Sequence, residues 1–138
     1  MAMTFYLGPY RFGFSHDLIR NEGKAYLERW VVWFGGSLRI HRFLASDADR
    51  AMHDHPCWFL SLPLHGYLEF TPDDGAGRQV RAWRLHWRAS RLRHRVTLLR
   101  VPTWTLVLTG SPTREWGFWE REAFTHHDDW LDRDHGAG

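Results

Sequence analysis

The sequence HDHPCWFLSLPLHG, residues 53–66, joins two close histidines to an apolar run that ends at a turn glycine. In an extended chain, residues i and i+2 project to the same face. His53 and His55 can therefore reach one metal ion, whereas Asp54 points away from it. Residues 57–64 have the composition of a buried strand. This stretch predicts a metal site beside a β-strand.

Short apolar runs separated by turn residues also make up the rest of the chain, and no long stretch has the period of a helix. We predict eight strands at 25–34, 37–44, 57–64, 67–71, 79–87, 95–99, 103–108 and 115–119. Residues 72–77 form the clearest predicted turn, and 46–50 a predicted loop or single helical turn. Eight short strands in a small protein indicate an all-β sandwich or barrel such as the jelly roll.

Length and composition predict one soluble globular domain over 1–138, with a core at about 25–120 and an extension at each end. The chain has 138 residues, of which 43% are apolar and 25% charged. It lacks a membrane-spanning apolar run and a secretory leader, so we expect a cytoplasmic protein without a membrane partner. Cys57 is the only cysteine, which excludes an internal disulfide and a multi-cysteine zinc site. Histidine must therefore supply most ligands of any metal.

Arginines are concentrated in one part of the sequence, with eight between Arg78 and Arg100. The segment after Arg114 is acidic, and the formal net charge is only +2. This low charge and the lack of a nucleic-acid motif argue against a nucleic-acid partner. We expect the arginines on solvent-facing sides of strands.

Aromatic residues are abundant, with nine Trp, nine Phe and four Tyr. Alternation places Trp83, Leu85 and Trp87 on one strand face, which predicts a core face. The chain also has more large aromatics than one small core readily hides, and this excess predicts a homodimer.

Two motifs connect the histidines to a known family. His53, His55 and Gly66 fit the pattern H-x-H, three or four residues, Glu, six residues, Gly, with Phe59 in the place of the glutamate. Residues 89–94 can be laid on a second pattern, P-x-G-x-x-H-x-x-x-N, although its Pro and Gly are missing and Leu replaces the Asn. In these two patterns the sequence resembles the cupin superfamily. The resemblance implies a jelly-roll barrel and makes His94 the third metal ligand.

A narrower likeness covers the segments HDHP at 53–56, TG at 109–110 and REWGF at 114–118. This combination is similar to a group of small cupin-like proteins from bacteria and phages. It supports the fold and leaves the substrate open.

Other histidines compete with His94 for the third ligand position. His86 and His41 both lie in predicted strands, but motif spacing favours His94. Cys57 has the same parity as His53 and His55, so it would also point toward the metal unless Pro56 shifts the parity. The commoner fate of such a cysteine is a buried, inert thiol.

Arg114 and Glu115 are the candidate catalytic residues. They begin a predicted strand and project to opposite faces. Arg114 would hold a substrate carboxylate or phosphate through its planar fork, and Glu115 would act as a base or fourth ligand. A plain ion pair at a strand end is the alternative. Arg39 and Arg84 are further candidates for the cavity.

The resemblance implies a metal-dependent enzyme. Three-histidine members of the family, such as thiol dioxygenases, make a three-histidine Fe(II) oxygenase or dioxygenase the leading prediction. A full 2+ charge on such a centre favours a small polar or anionic substrate. Zn, Mn, Ni or Cu also suit histidine ligands, so a non-redox isomerase, lyase or hydrolase is one alternative. A small-ligand-binding module without turnover is another.

Overall fold

The computed structural model describes residues 1–21, 23–47 and 51–130. These residues form β1 Ala2–Leu7, β2 Tyr10–Asn21, β3 Lys24–Trp33, β4 Ser37–Phe43, β5 Met52–His53, β6 Phe59–Pro63, β7 Tyr67–Thr71, β8 Asp74–Val80, β9 His86–Arg88, β10 Arg95–Leu98, β11 Thr103–Thr109, β12 Gly117–Glu120 and β13 Ala123–His126. A helical turn covers 127–130. The predicted loop at 46–50 lies outside the described residues from 48 onward.

The strands form three antiparallel sheets. The large sheet has the order β1-β2-β3-β4-β11-β6-β9, and the two small sheets have the orders β10-β7-β8 and β13-β12-β5. This arrangement confirms the predicted all-β, jelly-roll class. No helix in the described ranges is long and apolar enough to cross a membrane. The cytoplasmic location stays a prediction.

Two parts of the strand prediction differ from the structure. The N-terminal region was expected to extend from the core, but β2 pairs with β3 along its length and β1 with β2. The predicted strand 79–87 is wrong, because β8 ends at Val80 and β9 begins at His86. Trp83 between them has a φ of 60°, a left-handed conformation that interrupts a strand. The turn predicted at 72–77 is shorter, since β8 already begins at Asp74.

The predicted core face of Trp83, Leu85 and Trp87 is also wrong. Their exposed fractions are 70%, 66% and 60%. Since the chain leaves the extended conformation before Trp83, the alternation that would have placed the three on one buried face does not apply.

The inner face of the large sheet mixes buried polar and apolar side chains, and its outer face carries a row of apolar residues. Ser37, Thr105 and Thr109 are buried on the inside. On the outside, Val32 lies opposite Leu38 in β4, and Leu38 lies opposite Leu108 in β11. The same row continues to Phe14 in one direction and to Leu60 and Trp87 in the other. The exterior therefore presents an apolar stripe, and the interior offers hydroxyl groups among its apolar side chains.

Candidate metal centre

Backbone hydrogen bonds bring the two motif segments together. His53 N donates to His94 O at 2.9 Å, and His94 N donates to His53 O at 3.0 Å. His55 N donates to Ser90 O at 3.0 Å, which holds the next part of the first segment against the second. The three histidines are thus fixed by two adjacent backbones rather than by flexible loops.

The imidazole nitrogens of His53, His55 and His94 converge. One nitrogen from each ring lies within 4.8 Å of the others. His55 Nε2 and His94 Nε2 are 2.9 Å apart. Two nitrogen ligands that bind one ion at about 2.0–2.1 Å, at right angles, are themselves roughly 2.9 Å apart. The spacing of these two nitrogens fits two ligands of one metal.

A carboxylate lies behind two of the three rings. His94 Nδ1 is 2.8 Å from Glu69 Oε2, and His53 Nδ1 is 3.6 Å from Asp47 Oδ2. A histidine that binds metal through one nitrogen characteristically donates the other N–H to a carboxylate, which fixes the tautomer and the ring orientation. The hydrogen bond to Glu69 leaves Nε2 of His94 for a metal, whereas the longer contact of His53 with Asp47 is electrostatic only.

Glu69 is held as a carboxylate inside the protein. Its side chain is 1% exposed and accepts hydrogen bonds from Arg88 Nη2 at 2.8 Å and from Arg88 Nε at 3.0 Å. Burial alone would raise the pKa of Glu69, but the hydrogen bonds from His94 and Arg88 outweigh it and hold the pKa below its usual value. A charged Glu69 is therefore available to orient His94.

Burial keeps the other two imidazoles neutral. It lowers the pKa of His53 to about 4, although Asp47 acts in the opposite direction. It also lowers the pKa of His55 well below the usual value, with the nearby charges of His53 and His94 adding to the effect. Neutral imidazole is the form that binds a metal ion. The donor set, its spacing and its protonation all fit a divalent cation.

Comparisons with known proteins bear on the fold. No protein-family model matches the chain, and no curated protein matches it. Protein NMB1881 from Neisseria meningitidis is 14% identical, with a TM-score of 0.51, over 64% of this chain and 88% of that one. HppE, in its Fe(II) form with the alternative substrate (S)-1-HPP, is 8% identical, with a TM-score of 0.55, over 70% of this chain and 55% of its own.

A cupin-like protein from Thermotoga maritima aligns over 95% of this chain and 92% of its own, at 6% identity. Its TM-score of 0.41 adds no support. The assignment rests on the strand arrangement and on the two matches above 0.5. The chain shares the jelly-roll fold of these two proteins.

Phe59 occupies the place where the cupin motif has its glutamate. Its ring lies 4.7 Å from the ring of His55 and 6.0 Å from that of His94. An apolar ring therefore closes this side of the three histidines. Cys57 is buried, but its thiol is not among the clustered ligand atoms of the described residues.

Arg114 has a different environment from the predicted substrate contact. Its Nη2 donates to Asp54 Oδ2 at 3.0 Å, and its Nη1 donates to His55 O at 2.9 Å and Ser90 O at 3.2 Å. Asp54 is 1% exposed and also accepts from Gly117 N at 2.9 Å. Arg114 thus fastens the two histidine segments to each other.

Glu115 does not lie with the three histidines. Its side chain is 81% exposed, and its Oε2 is 2.5 Å from His126 Nε2. This contact raises the pKa of His126. A second, exposed group of potential metal ligands consists of His126, His127 and Asp128. The catalytic role predicted for Glu115 stays a prediction, without a contact to the candidate centre.

The competing third ligands have other surroundings. His86 Nε2 lies 3.1 Å from Arg81 O in an exposed hydrogen bond. His41 projects from β4, and its Nε2 is shielded from solvent without a hydrogen-bond partner among the described residues. Of the three candidates, only His94 clusters with His53 and His55 in the described part of the chain.

Sequence reasoning missed the carboxylates behind the ligands. Glu69 shares a strand face with Tyr67 and Thr71 in β7, but a lone acidic residue in a short strand resembles an ordinary surface position. Asp47 lies in a segment that was predicted only as a loop. Neither residue has a fixed spacing from the histidine it contacts, so the motifs alone give no signal for them.

Proposed function

We propose that this cupin is a metal-dependent enzyme in which His53, His55 and His94 hold a divalent metal, with Fe(II) as the first candidate. The proposed reaction class is an oxygenase or dioxygenase acting on a small polar or anionic molecule. The observation that carries the proposal is the convergence of one nitrogen from each of the three rings. A carboxylate lies on the far side of two of these rings, those of His53 and His94. A carboxylate paired with the second ring nitrogen is characteristic of histidines that bind metal.

The chain's own residues have distinct parts in the proposal. Glu69 would keep the Nδ1 proton of His94 in place and direct Nε2 inward, and Asp47 would place a negative charge near Nδ1 of His53. Phe59 would keep a carboxylate out of the ligand set, so that the centre retains its full positive charge. Arg114 is a positioning residue, since it holds Asp54 and two backbone carbonyls rather than a ligand.

Iron in HppE supports the choice of metal. That protein has the same fold, and its crystal structure is of the Fe(II) form with an alternative substrate. Imidazole ligands also suit Zn, Ni and Cu, so the preference for Fe(II) depends on this neighbour and on the family resemblance. When bound, Fe(II) would supply redox chemistry with dioxygen.

Metal analysis of protein purified without a histidine tag tests the proposal. We expect about one iron per chain after anaerobic loading, together with dioxygen uptake on a panel of small carboxylates and phosphonates. Stoichiometric Zn, Mn or Ni without dioxygen uptake would favour a non-redox isomerase, lyase or hydrolase. Absence of stoichiometric metal would reject an enzyme of this kind and favour a binding module.

A matched control removes the exposed second group. His126→Ala/His127→Ala eliminates two of its three potential ligands. The metal content should stay unchanged in this variant if the bound metal occupies the buried centre. If the variant loses the metal, the metal belongs to the surface group and the proposed centre is not occupied.

We also propose that the apolar stripe on the outer face of the large sheet pairs with a second copy of the chain. Val32, Leu38 and Leu108 form its centre and are 46%, 51% and 38% exposed. Contiguous apolar surface of this kind marks an interaction site more often than isolated exposed residues do. The homodimer predicted from the aromatic content would use this stripe.

A further inference from the structure

The inner face of the large sheet carries two arginines and a buried, neutral histidine. Arg39 and His41 are two residues apart in β4, so their side chains share one face. Arg29 in β3 lies directly opposite His41. Leu38 and Ile40 alternate with them in β4 and are exposed on the opposite face. Arg39 and His41 therefore lie on the inside.

This group has too few acceptors. Arg39 Nε donates to Ser37 Oγ at 2.8 Å, and Arg29 Nη2 lies 3.3 Å from Asp17 Oδ2. Arg29 Nε and His41 Nε2 are shielded from solvent and have no hydrogen-bond partner among the described residues. Asp17 is the one carboxylate that pairs with the group within the described ranges. Arg29 therefore has a single, partly exposed carboxylate partner, and Arg39 has none among the described residues.

The electrostatic consequences are visible at the same residues. Burial and the positive charge of Arg29 lower the pKa of Arg39, and burial lowers the pKa of His41 to about 3, with Arg39 and Arg29 adding to the effect. Shielded donors without acceptors and like charges in proximity are both unfavourable. A bound oxyanion would relieve both, because it supplies acceptors and negative charge together.

Arg39 can be reached from solvent. It lines a cavity of about 680 Å³ together with Val31, Ser37 and Thr109, whereas Arg29 and His41 lie behind Arg39 and do not line that cavity. Arg39 also lies in register with Ser61 of β6 across the inner face. It pairs with Val107 in β11, and Val107 pairs with Ser61. Two strand spacings separate Arg39 from Ser61, roughly 10 Å.

The metal centre lies along that same strand. Phe59 is two residues before Ser61 in β6, and its ring contacts that of His55 at 4.7 Å. A small molecule bound between Arg39 and His55 would therefore have the guanidinium on one side and the three histidines on the other.

We infer that Arg29, Arg39 and His41 form the site that binds the oxyanion of the substrate, a carboxylate or a phosphoryl group, beside the three-histidine centre. The inference names the substrate class of the proposed enzyme, and it therefore rests on the proposed function. The two arginines supply the charge and forked donors, and His41 Nε2 supplies one further hydrogen-bonding atom. The remainder of the substrate would extend toward His55.

Binding of simple anions to the metal-free protein tests the site directly. Isothermal titration would use inorganic phosphate in one arm and succinate in the other, after treatment with a chelator. We expect saturable binding of at least one anion, and the preferred probe distinguishes a phosphoryl from a carboxylate substrate. Arg39→Gln and Arg29→Gln should each weaken that binding about tenfold or more.

Arg42→Gln is the matched control. Arg42 is a neighbour of His41 in sequence, but it pairs with Glu28 through a 2.8 Å contact on the outer face. This variant should bind the anion as the wild type does. Equal affinity in wild type, Arg29→Gln and Arg39→Gln would overturn the inference, as would equal weakening in Arg42→Gln.

Metal content of the same variants separates this inference from the proposed function. Arg39→Gln and Arg29→Gln should retain the metal of the wild type, since neither residue is a ligand. Bound metal without arginine-dependent anion binding would refute the anion site and leave the metal centre standing. Anion binding without metal would refute the proposed enzyme and leave an anion-binding cupin.

Discussion

Glu69 Oε2 lies 2.8 Å from Nδ1 of His94, so a buried carboxylate orients the third imidazole of the candidate centre. This relationship gives His94 the environment of a metal ligand rather than that of a core histidine. It also explains why a glutamate is fully buried in β7, where Arg88 and Arg78 supply the rest of its hydrogen bonds.

Glu69→Gln should weaken metal binding by about 10–100-fold, because the neutral amide no longer fixes the tautomer of His94. Competition with a chromophoric chelator measures the affinity. Glu28→Gln makes the same change on the outer face and should have no effect. Since Glu69→Gln leaves Arg88 without its charged partner, Glu69→Gln/Arg88→Gln provides a second test with a balanced charge. Wild-type affinity in both folded variants would exclude the orienting role.

Phe59→Glu should tighten metal binding by about tenfold and alter activity, because it adds a carboxylate next to His55 and takes up an open position. Phe59→Gln has a similar shape but a weaker ligand, and it is the control. Chelator competition and turnover are measured on the same preparations. An affinity for Phe59→Glu no higher than that for Phe59→Gln would show that this position does not face the metal.

His41 should make the metal-free protein less stable in mild acid. Its pKa in the folded state is about 3, below the usual 6.5, because it is buried. Between those values the unfolded chain binds a proton that the folded chain does not, so stability falls as the pH decreases, by at most about 1.4 kcal/mol per unit from this residue. His41→Gln should remove that part of the slope in urea unfolding between pH 7.5 and 5. Parallel curves for the two proteins would contradict it.

Leu38→Glu should convert a dimer into a monomer, because it places a charge at the centre of the apolar stripe and brings two such charges together in a symmetric interface. Sedimentation equilibrium at micromolar concentration measures the change. Leu99→Glu, at an exposed leucine that is not part of the stripe, should leave the dimer intact. A monomeric wild-type protein at high micromolar concentration would reject the interface.

The parts of this structure that the sequence predicts are those with a local signal. The spacing of His53 and His55, the apolar run behind them and the turn residues predict the β class and two members of the cluster. His94 follows from the weaker second motif, and the structure places it beside the other two. That these residues bind metal stays a prediction.

The remainder depends on contacts between distant parts of the chain. Asp47, Glu69 and Arg29 act on residues to which no sequence spacing connects them. Strand β2 was missed because its residues mix polar and apolar types without clear alternation, and only pairing with β3 reveals it. The alternation around Trp83 predicted a buried strand face. Trp83 itself is in the left-handed conformation, so the strand is interrupted there and no such face forms.

The metal content of four single variants tests the central claim most directly. His53→Ala and His94→Ala should each lose metal almost completely, since only two imidazole ligands remain, whereas His86→Ala and His41→Ala should retain it. Circular dichroism confirms that each variant folds, and inductively coupled plasma mass spectrometry counts the metal. Full metal in His94→Ala, together with loss from His86→Ala or His41→Ala, would contradict the three-histidine centre.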